Sequence, residues 1–326
     1  MRPATPLICQ FIEQHRREFG VAPICHALTE LGVPIAPRTY RAHSARPPSK
    51  RALWEMTVTE LLAGSYEPDE HGRRPPESLY GSLKMWAHLQ RQGVPVARCT
   101  VERLMRQHGW RGATRTRKTR TTISDPTHER SGDLVHRQFT ADRPDALWVA
   151  DFTYVPMTCG RFGYTAFVID AFAGLIPGWE CALTKHTGFV QAAVRQAAAR
   201  RRRAGHPIQG TVHHSDAGSQ YTAVHFGQTL FLEGLIPSIG TVGDALDNTL
   251  AETTIGLYKT ECIRDGTPFR HGPLDTLADL EEATSAWVHW YNTTRLMHRL
   301  GRIPPAEAEA TYYATTDPAR TAGLTN

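Results

Sequence analysis

The sequence predicts a chain in two parts: an all-α helix-turn-helix region followed by an α/β core built on a mixed sheet. Three observations carry this expectation. Helical periodicity broken by a Gly-Val-Pro turn occurs twice before residue 112, at Gly32-Val33-Pro34 and Gly93-Val94-Pro95. From Pro144 the composition switches to aromatic and β-branched runs, which read as strands. The elements that follow have the order βββαβαβα, which suits a mixed sheet with helices packed on it.

The helical half comes first. Leu7, Ile8, Phe11, Ile12 and Phe19 recur near helical spacing, and Gly20 ends that helix. A second helix is expected over Ala22–Leu31 and a third from about Pro37. The pattern returns as a helix over Leu83–Gln92 and another over Arg98–His108. At an offset of 61, Gly32, Val33, Pro34, Ala36 and Thr39 match Gly93, Val94, Pro95, Ala97 and Thr100. This is a weak internal repeat of one helix-turn-helix unit. In the second copy Val101, Leu104 and Met105 form the apolar side, leaving Arg98, Arg103 and Arg106 to face elsewhere. A helix divided in this way suits a DNA major groove.

The charge distribution agrees. Net charge is only +5, but Arg98 to Arg120 holds eight Arg or Lys against one acid, Glu102. Beyond the second helix pair, Arg111, Arg115, Arg117, Lys118 and Arg120 alternate with Thr, Gly and Ala. Such a segment cannot build a core but suits counterion-releasing phosphate contact. The six cysteines make no CxxC and have irregular spacings, so free thiols are expected, without a zinc ribbon or a disulfide framework. No signal-type apolar stretch or membrane-length apolar run is present, so a soluble cytoplasmic protein is expected.

In the core, strands are expected over residues 146–155, 164–169, 179–183, 211–214 and 236–239. Helices are expected over 187–203, 221–233, from Asp247 or Asn248 to about Ile263, and over 274–291. The run Arg200-Arg201-Arg202-Arg203 would complement a helix dipole. The expected domains are residues 1–50, an N-terminal helix-turn-helix-like segment, and 51–112, a second helix-turn-helix domain. Then follow a basic linker at 113–143, the catalytic core at 144–310 and a C-terminal tail at 311–326.

Three acids stand out. Asp151 interrupts a strand otherwise made of Trp, Val, Ala, Phe and Tyr, where an ionised carboxylate is costly unless paired or metal-bound. Asp216 follows a strand end, where α/β active sites commonly sit. Glu252 lies in the first turn of a helix, with 35 residues between it and Asp216. Taken singly, each has a duller explanation as a solvent-facing acid, a cap or a dipole contact. Together they suit a pair of Mg²⁺ ions, which prefer oxygen ligands and leave positions for water and phosphate. Lys259, two turns beyond Glu252 on the same face, is placed to hold a phosphate.

The motifs carry a resemblance. They are Trp148-Val149-Ala150-Asp151-Phe152-Thr153-Tyr154, Val168-Ile169-Asp170, His213-His214-Ser215-Asp216 with Gly218-Ser219-Gln220-Tyr221, and Asp247-Asn248 with Ala251-Glu252. Leu257-Tyr258-Lys259-Thr260-Glu261, Tyr291-Asn292, Leu300-Gly301 and Pro304-Pro305-Ala306-Glu307 follow. Upstream, Ile12 through Ser49 and Leu79 through Arg111 look like the helix-turn-helix segments of the same proteins. The chain resembles insertion-sequence DDE transposases of the second-reading-frame type, which have a retroviral-integrase-like core.

The resemblance implies an RNase H-like fold and a catalytic, metal-holding triad of Asp151, Asp216 and Glu252. It implies Mg²⁺-dependent cleavage at element ends, with Mn²⁺ able to substitute, then attack of a 3′-hydroxyl on target DNA. The implied partners are terminal inverted repeats, target DNA, further copies of the chain and the upstream-frame product, at the bacterial nucleoid. Two departures are Ala217, where a basic or polar residue often follows the second Asp, and His298, one place later than usual. The competing expectations are a non-enzymatic helix-turn-helix regulator and a hydrolytic nuclease of the same fold.

Overall fold

Strand β1, Leu147–Pro156, is the middle of a five-stranded sheet and the element on which the core is laid. β2 (Phe162–Asp170) and β3 (Gly178–Ala182) follow it antiparallel through tight turns. β4 (Val212–Ser215) joins the other side of β1 in parallel, and β5 (Ile236–Ile239) adds parallel to β4. The order is β3-β2-β1-β4-β5, the mixed RNase H-like sheet with flanking helices expected from the sequence. The computed structural model describes residues 3–114, 134–135, 139–158, 160–216, 218–240 and 248–316. Arg115, Arg117, Lys118 and Arg120, most of the expected linker, Ala217, Asp247 and the end of the tail lie outside the described residues.

The chain divides into two compact units, Met1–Leu61 and Leu62–Asn326. In the first, α1 (Thr5–Phe19), α2 (Val21–Glu30) and α3 (Pro37–Ala45) close around Ile8, Ile12, Ile24, Ile35 and Tyr40. The boundary falls inside α4 (Lys50–Tyr66), a helix that the periodicity did not reveal. The second unit opens with the other helix pair, α5 (Ser82–Arg91) and α6 (Arg98–His108).

The internal repeat survives at the level of single hydrogen bonds. Gly32 and Gly93 are both left-handed, with φ of 77° and 78°. Val33 N–H donates to Leu28 O at 2.8 Å, and Val94 N–H donates to Leu89 O at 2.9 Å. These are the same helix-ending turn, closed over a glycine that has no Cβ to oppose it. In α6, Val101, Leu104 and Met105 are buried while Arg98, Arg103, Arg106 and the following Arg111 are exposed.

Each face of the sheet takes its own helices, because successive side chains point to opposite sides of a strand. Trp148, Ala150, Ala166 and Val168 pack against α7 (Thr187–Arg203) through Phe189, Ala193 and Ala197. Gly178 makes this approach possible, since a Cβ there would stand 2.2 Å from Ala193 O. The same layer receives α8 (Ser219–Thr222) and α9 (Val224–Glu233), two helices where one was expected over 221–233. The opposite face carries α10 (Thr249–Tyr258), which runs on into a π-helical turn at Lys259–Ile263, and α11 (Leu277–Thr293). Phe167, Tyr258 and Trp287 meet edge to face there, with ring centres 4.9–6.0 Å apart. A last helix, α12 (Pro305–Thr316), occupies part of what the sequence suggested was a tail.

One expectation needs correction. Of the four arginines that end α7, Arg201 does not serve a helix dipole at the surface. It is 4% exposed and sits among three buried acids. Its guanidinium reaches Asp145 at 2.8 Å, Asp170 at 3.8 Å, and Glu309 of α12 through a bidentate pair at 2.8 and 2.6 Å. Asp170 is pushed up to about 7, chiefly by burial, with Arg201 opposing. Periodicity places the four arginines alike; only the packing of α12 singles one out. All cysteines among the described residues are free, as expected.

Removing one partner from a buried ion cluster leaves uncompensated charge. Arg201→Met is therefore expected to cost about 3–5 kcal/mol in urea denaturation. Arg203→Met, at an exposed position of the same helix end, should change stability by less than about 0.5 kcal/mol.

Candidate active site

The site is built by strand register. β1 and β4 run parallel with Leu147 beside Val212, Trp148 beside His213, Val149 beside His214 and Ala150 beside Ser215. The next step along both chains brings Asp151 beside Asp216. Neighbouring strands lie about 4.8 Å apart, and residues side by side in register share a face. Both aspartates therefore rise from the face that carries α10. β4 ends at Ser215, so Asp216 is the first residue beyond the strand.

Asp151 is half-buried, and its Oδ1 accepts the N–H of Phe152 at 2.7 Å. Asp216 is also half-buried; its Oδ1 accepts the N–H of Gly218 at 3.1 Å, closing a tight turn before α8. Asp216 thus turns the chain two residues ahead of Gly218, which holds the N-cap position of α8. Burial pushes the Asp216 carboxyl up, against the Gly218 N–H and the neighbouring His214, which favour its ionised form. A desolvated carboxylate beside a second carboxylate is an arrangement that a hard cation stabilises.

Tyr221, on α8, reports the same convergence. Its ring lies 6.1 Å from Phe152 and 5.3 Å from Phe226, and its hydroxyl is buried with no hydrogen-bond partner among the described residues. Burial pushes the phenol far up, and the charges of Asp151 and Asp216 add to the shift. One side chain therefore feels both aspartates. His213 beside it is held down to about 4 by burial, which keeps it neutral.

Glu252 arrives from the side. Asn248 stands at the N-cap position of α10, but its side chain makes no capping bond. Instead Nδ2 donates to the carbonyl of Ala150 at 3.0 Å, tying the helix to the strand one residue before Asp151. Glu252 N–H donates to Asn248 O at 3.0 Å, so the acid sits one turn above that tether. The sequence suggested Asn248 or Asp247 as a cap; the structure makes Asn248 a clamp. Its signal was its position four residues before Glu252. Lys259 follows at the start of the π-helical turn, with Nζ 4.4 Å from the centre of the Tyr154 ring.

Register thus brings Asp151 and Asp216 together, and the Asn248 clamp brings the start of α10 to the same strand. Among the described residues, no three His, Cys, Asp or Glu side chains gather closely enough to enclose a metal ion. Arg98, Arg103, Arg106 and Arg111 belong to the helix-turn-helix part, and Arg98 is paired there with Glu102 at 2.7 Å.

With this geometry in view, comparison with known proteins is informative. Residues 141–245 and 233–305 match the integrase core domain, and residues 69–118 match an HTH-like domain. A putative transposase for insertion sequence element IS986/IS6110 from Mycobacterium tuberculosis (strain ATCC 25177 / H37Ra) is 45% identical over 283 residues, covering 86% of this chain and 97% of that protein. The transposase for insertion sequence element IS629 from Shigella sonnei is 43% identical over 309 residues, covering 93% and 96%. The HTLV-2 integrase catalytic core domain, solved in complex with magnesium in a trimeric form, is 16% identical, covers 52% of this chain and 98% of its own, and gives a TM-score of 0.41. An integrase-type core behind a helix-turn-helix domain defines a class of DNA-recombining proteins. Within that class, the chain belongs to the family of insertion-sequence transposases with an integrase core domain, so the resemblance in its motifs is borne out.

The Asn248 clamp is testable alone. Asn248→Ala leaves the Ala150 carbonyl without that donor, a loss of about 1–3 kcal/mol. Hydrogen exchange at the first turn of α10 should quicken roughly tenfold, since 1.4 kcal/mol is a factor of ten.

Proposed function

We propose that this transposase performs metal-dependent cleavage and strand transfer at the ends of its insertion sequence, with Asp151, Asp216 and Glu252 as its catalytic carboxylates. The observation that carries the reading is the parallel β1–β4 register, which sets two half-buried aspartates side by side. A non-enzymatic helix-turn-helix regulator has no use for that pair. The donor set is all oxygen, as Mg²⁺ requires, and Mn²⁺ would fit the same ligands.

Asp151 and Asp216 would hold the metal from the sheet, and Glu252 would complete the set from α10. When bound, two such ions activate an attacking oxygen and stabilise a leaving one. The protein's own residues do the rest. The strands fix the two aspartates on a rigid floor, and the Asn248 clamp fixes the base of α10. Lys259, half-buried at the far end of that helix, would hold a phosphate oxygen near the scissile bond.

The chemistry is displacement at phosphorus. In cleavage, a water oxygen bonds to phosphorus and the bond to the 3′ oxygen breaks, freeing the 3′-hydroxyl of the element. In transfer, that hydroxyl bonds to a target phosphorus and the target's own 3′ oxygen leaves. Each step forms one P–O bond and breaks one, so neither needs an outside energy source. The exposed Arg98, Arg103, Arg106 and Arg111, together with the basic residues up to Arg120, would bind the DNA backbone. Joining two ends to one target calls for several copies of the chain on the DNA.

Mg²⁺-dependent nicking of DNA carrying the element's own ends tests this reading. Asp216→Asn and Asp151→Asn should each lower the rate at least about 100-fold, since metal-assisted stabilisation is worth several kcal/mol and 1.36 kcal/mol is tenfold in rate. Equal nicking by the variants would remove the carboxylates from the mechanism. Products joined to target DNA distinguish strand transfer from simple hydrolysis.

A further inference from the structure

The β1–β2 hairpin carries a row of aromatic rings that runs out from the core into solvent. Register places Tyr154 beside Tyr164 and Pro156 beside Phe162, and Phe152 lies one step back on the same face. Phe152 and Tyr164 pack on Phe189 of α7, with ring centres 5.5 and 6.5 Å away. Farther along the hairpin this cover ends. Tyr154 is 43% exposed and Phe162 48%. Single exposed apolar side chains are ordinary, but these two rings touch. Their centres are 5.4 Å apart and their planes stand at 83°.

A cation joins this pair to the catalytic face. β4 leaves β1 after Ala150, so among the described residues the edge of β1 beyond that point pairs with no strand on that side. α10 packs against β1. Lys259 reaches round the open edge and sets Nζ 4.4 Å from the centre of the Tyr154 ring, although that ring belongs to the face opposite α10. Tyr154 is three residues from Asp151 along an extended strand, and Lys259 is two helical turns from Glu252. Each separation is about 10 Å. That is the rise of about three stacked bases at ~3.4 Å each. The rings are therefore within reach of nucleotides next to a phosphate held at the carboxylates.

The two rings have different parts. Lys259 lies over one face of Tyr154. Phe162 stands nearly perpendicular to Tyr154, so Tyr154 meets at most one face of Phe162, and about half of that side chain is open. An open aromatic face beside a cation suits one nucleotide, the ring taking the base and the cation the phosphate. Stacking of this kind tolerates any sequence, because every base has a π-face. A paired base must first be taken out of its stack, which costs least where it is already unpaired.

We propose that Phe162, buttressed by Tyr154, is a shelf on which one unpaired nucleobase of the strand being cut stacks, beside the phosphate that Lys259 holds. This rests on the reading of Asp151, Asp216 and Glu252 as a DNA-cutting site. The shelf fixes the strand's position against the carboxylates without reading its sequence.

The test measures binding of the full chain to element-end DNA by fluorescence anisotropy, without metal. The strand opposite the cut is omitted over three nucleotides on either side, so that the facing bases are unpaired. Phe162→Leu should weaken binding about tenfold, the worth of one base on an aromatic ring, and Phe162→Tyr should keep the affinity. Because Phe162 is at the surface, the melting temperature of both variants should hold. Each unpaired nucleotide is then made abasic in turn. At one position the abasic DNA should bind the unaltered chain about tenfold more weakly, and Phe162→Leu should add nothing further. At the other positions the loss from Phe162→Leu should remain. Equal binding by Phe162→Leu and the unaltered chain would overturn the shelf alone. So would a tenfold loss that persists at every abasic position, since the ring would then touch no base. Nicking of the intact duplex by the unaltered chain in Mg²⁺ is measured alongside; if there is none, the DNA-cutting reading falls and the shelf falls with it.

Discussion

The pairing of Asp151 with Asp216 depends on the parallel alignment of β1 with β4. A strand alternates its side chains between two faces, so slipping this pairing by one residue would send Asp216 to the face opposite Asp151. The register is protected on both sides. Beneath it, Trp148 and His213 are buried against the α7–α9 layer, a large ring and a neutral imidazole that have no place on the wet side. Above it, Val149 and His214 are buried as well. Beyond the pairing, β4 stops and the chain turns at Asp216. The two aspartates are thus the first residues past the buried portion of the ladder, half-buried at its end.

Helices are held around this sheet by polar anchors as well as by apolar contact. Arg201 ties α7 to Asp145, Asp170 and the Glu309 of α12. Glu261, in the π-helical turn after α10, ties that helix to Arg295 at the end of α11, and Trp287 Nε1 adds a donor at 3.3 Å. Tyr80 then joins the α5–α6 pair to the same segment after α11. Each buried charge is costly unless its partners are in place. The anchors therefore select one arrangement of the helices, and with it the line from Ala150 through Asn248 to Glu252.

Much of this was legible in the sequence, and the limits have physical causes. β1 was visible because a long aromatic and β-branched run has few other homes. α6 was visible because Val101, Leu104 and Met105 repeat at helical spacing against arginines. The repeated Gly-Val-Pro turns were legible because a left-handed glycine is a local requirement of the chain. What stayed hidden depended on distant contacts. α4 presents no clean apolar stripe, and α12 is fastened by Glu309 to an arginine more than a hundred residues earlier. The roles of Arg201 and Asn248 have the same origin. A run of four arginines looks uniform, and an asparagine before a helix looks like a cap, until the fold supplies a carboxylate for one and a strand carbonyl for the other. The acids stand out in the sequence by type and spacing, but their side-by-side placement is a property of the register.

Anomalous diffraction from crystals grown with Mn²⁺ would test this account most directly. It predicts a metal peak at ligand distance from the carboxylates of both Asp151 and Asp216, with Glu252 turned from α10 to meet it. A peak elsewhere on the chain, or aspartates that stay in register while manganese ignores them, would contradict it.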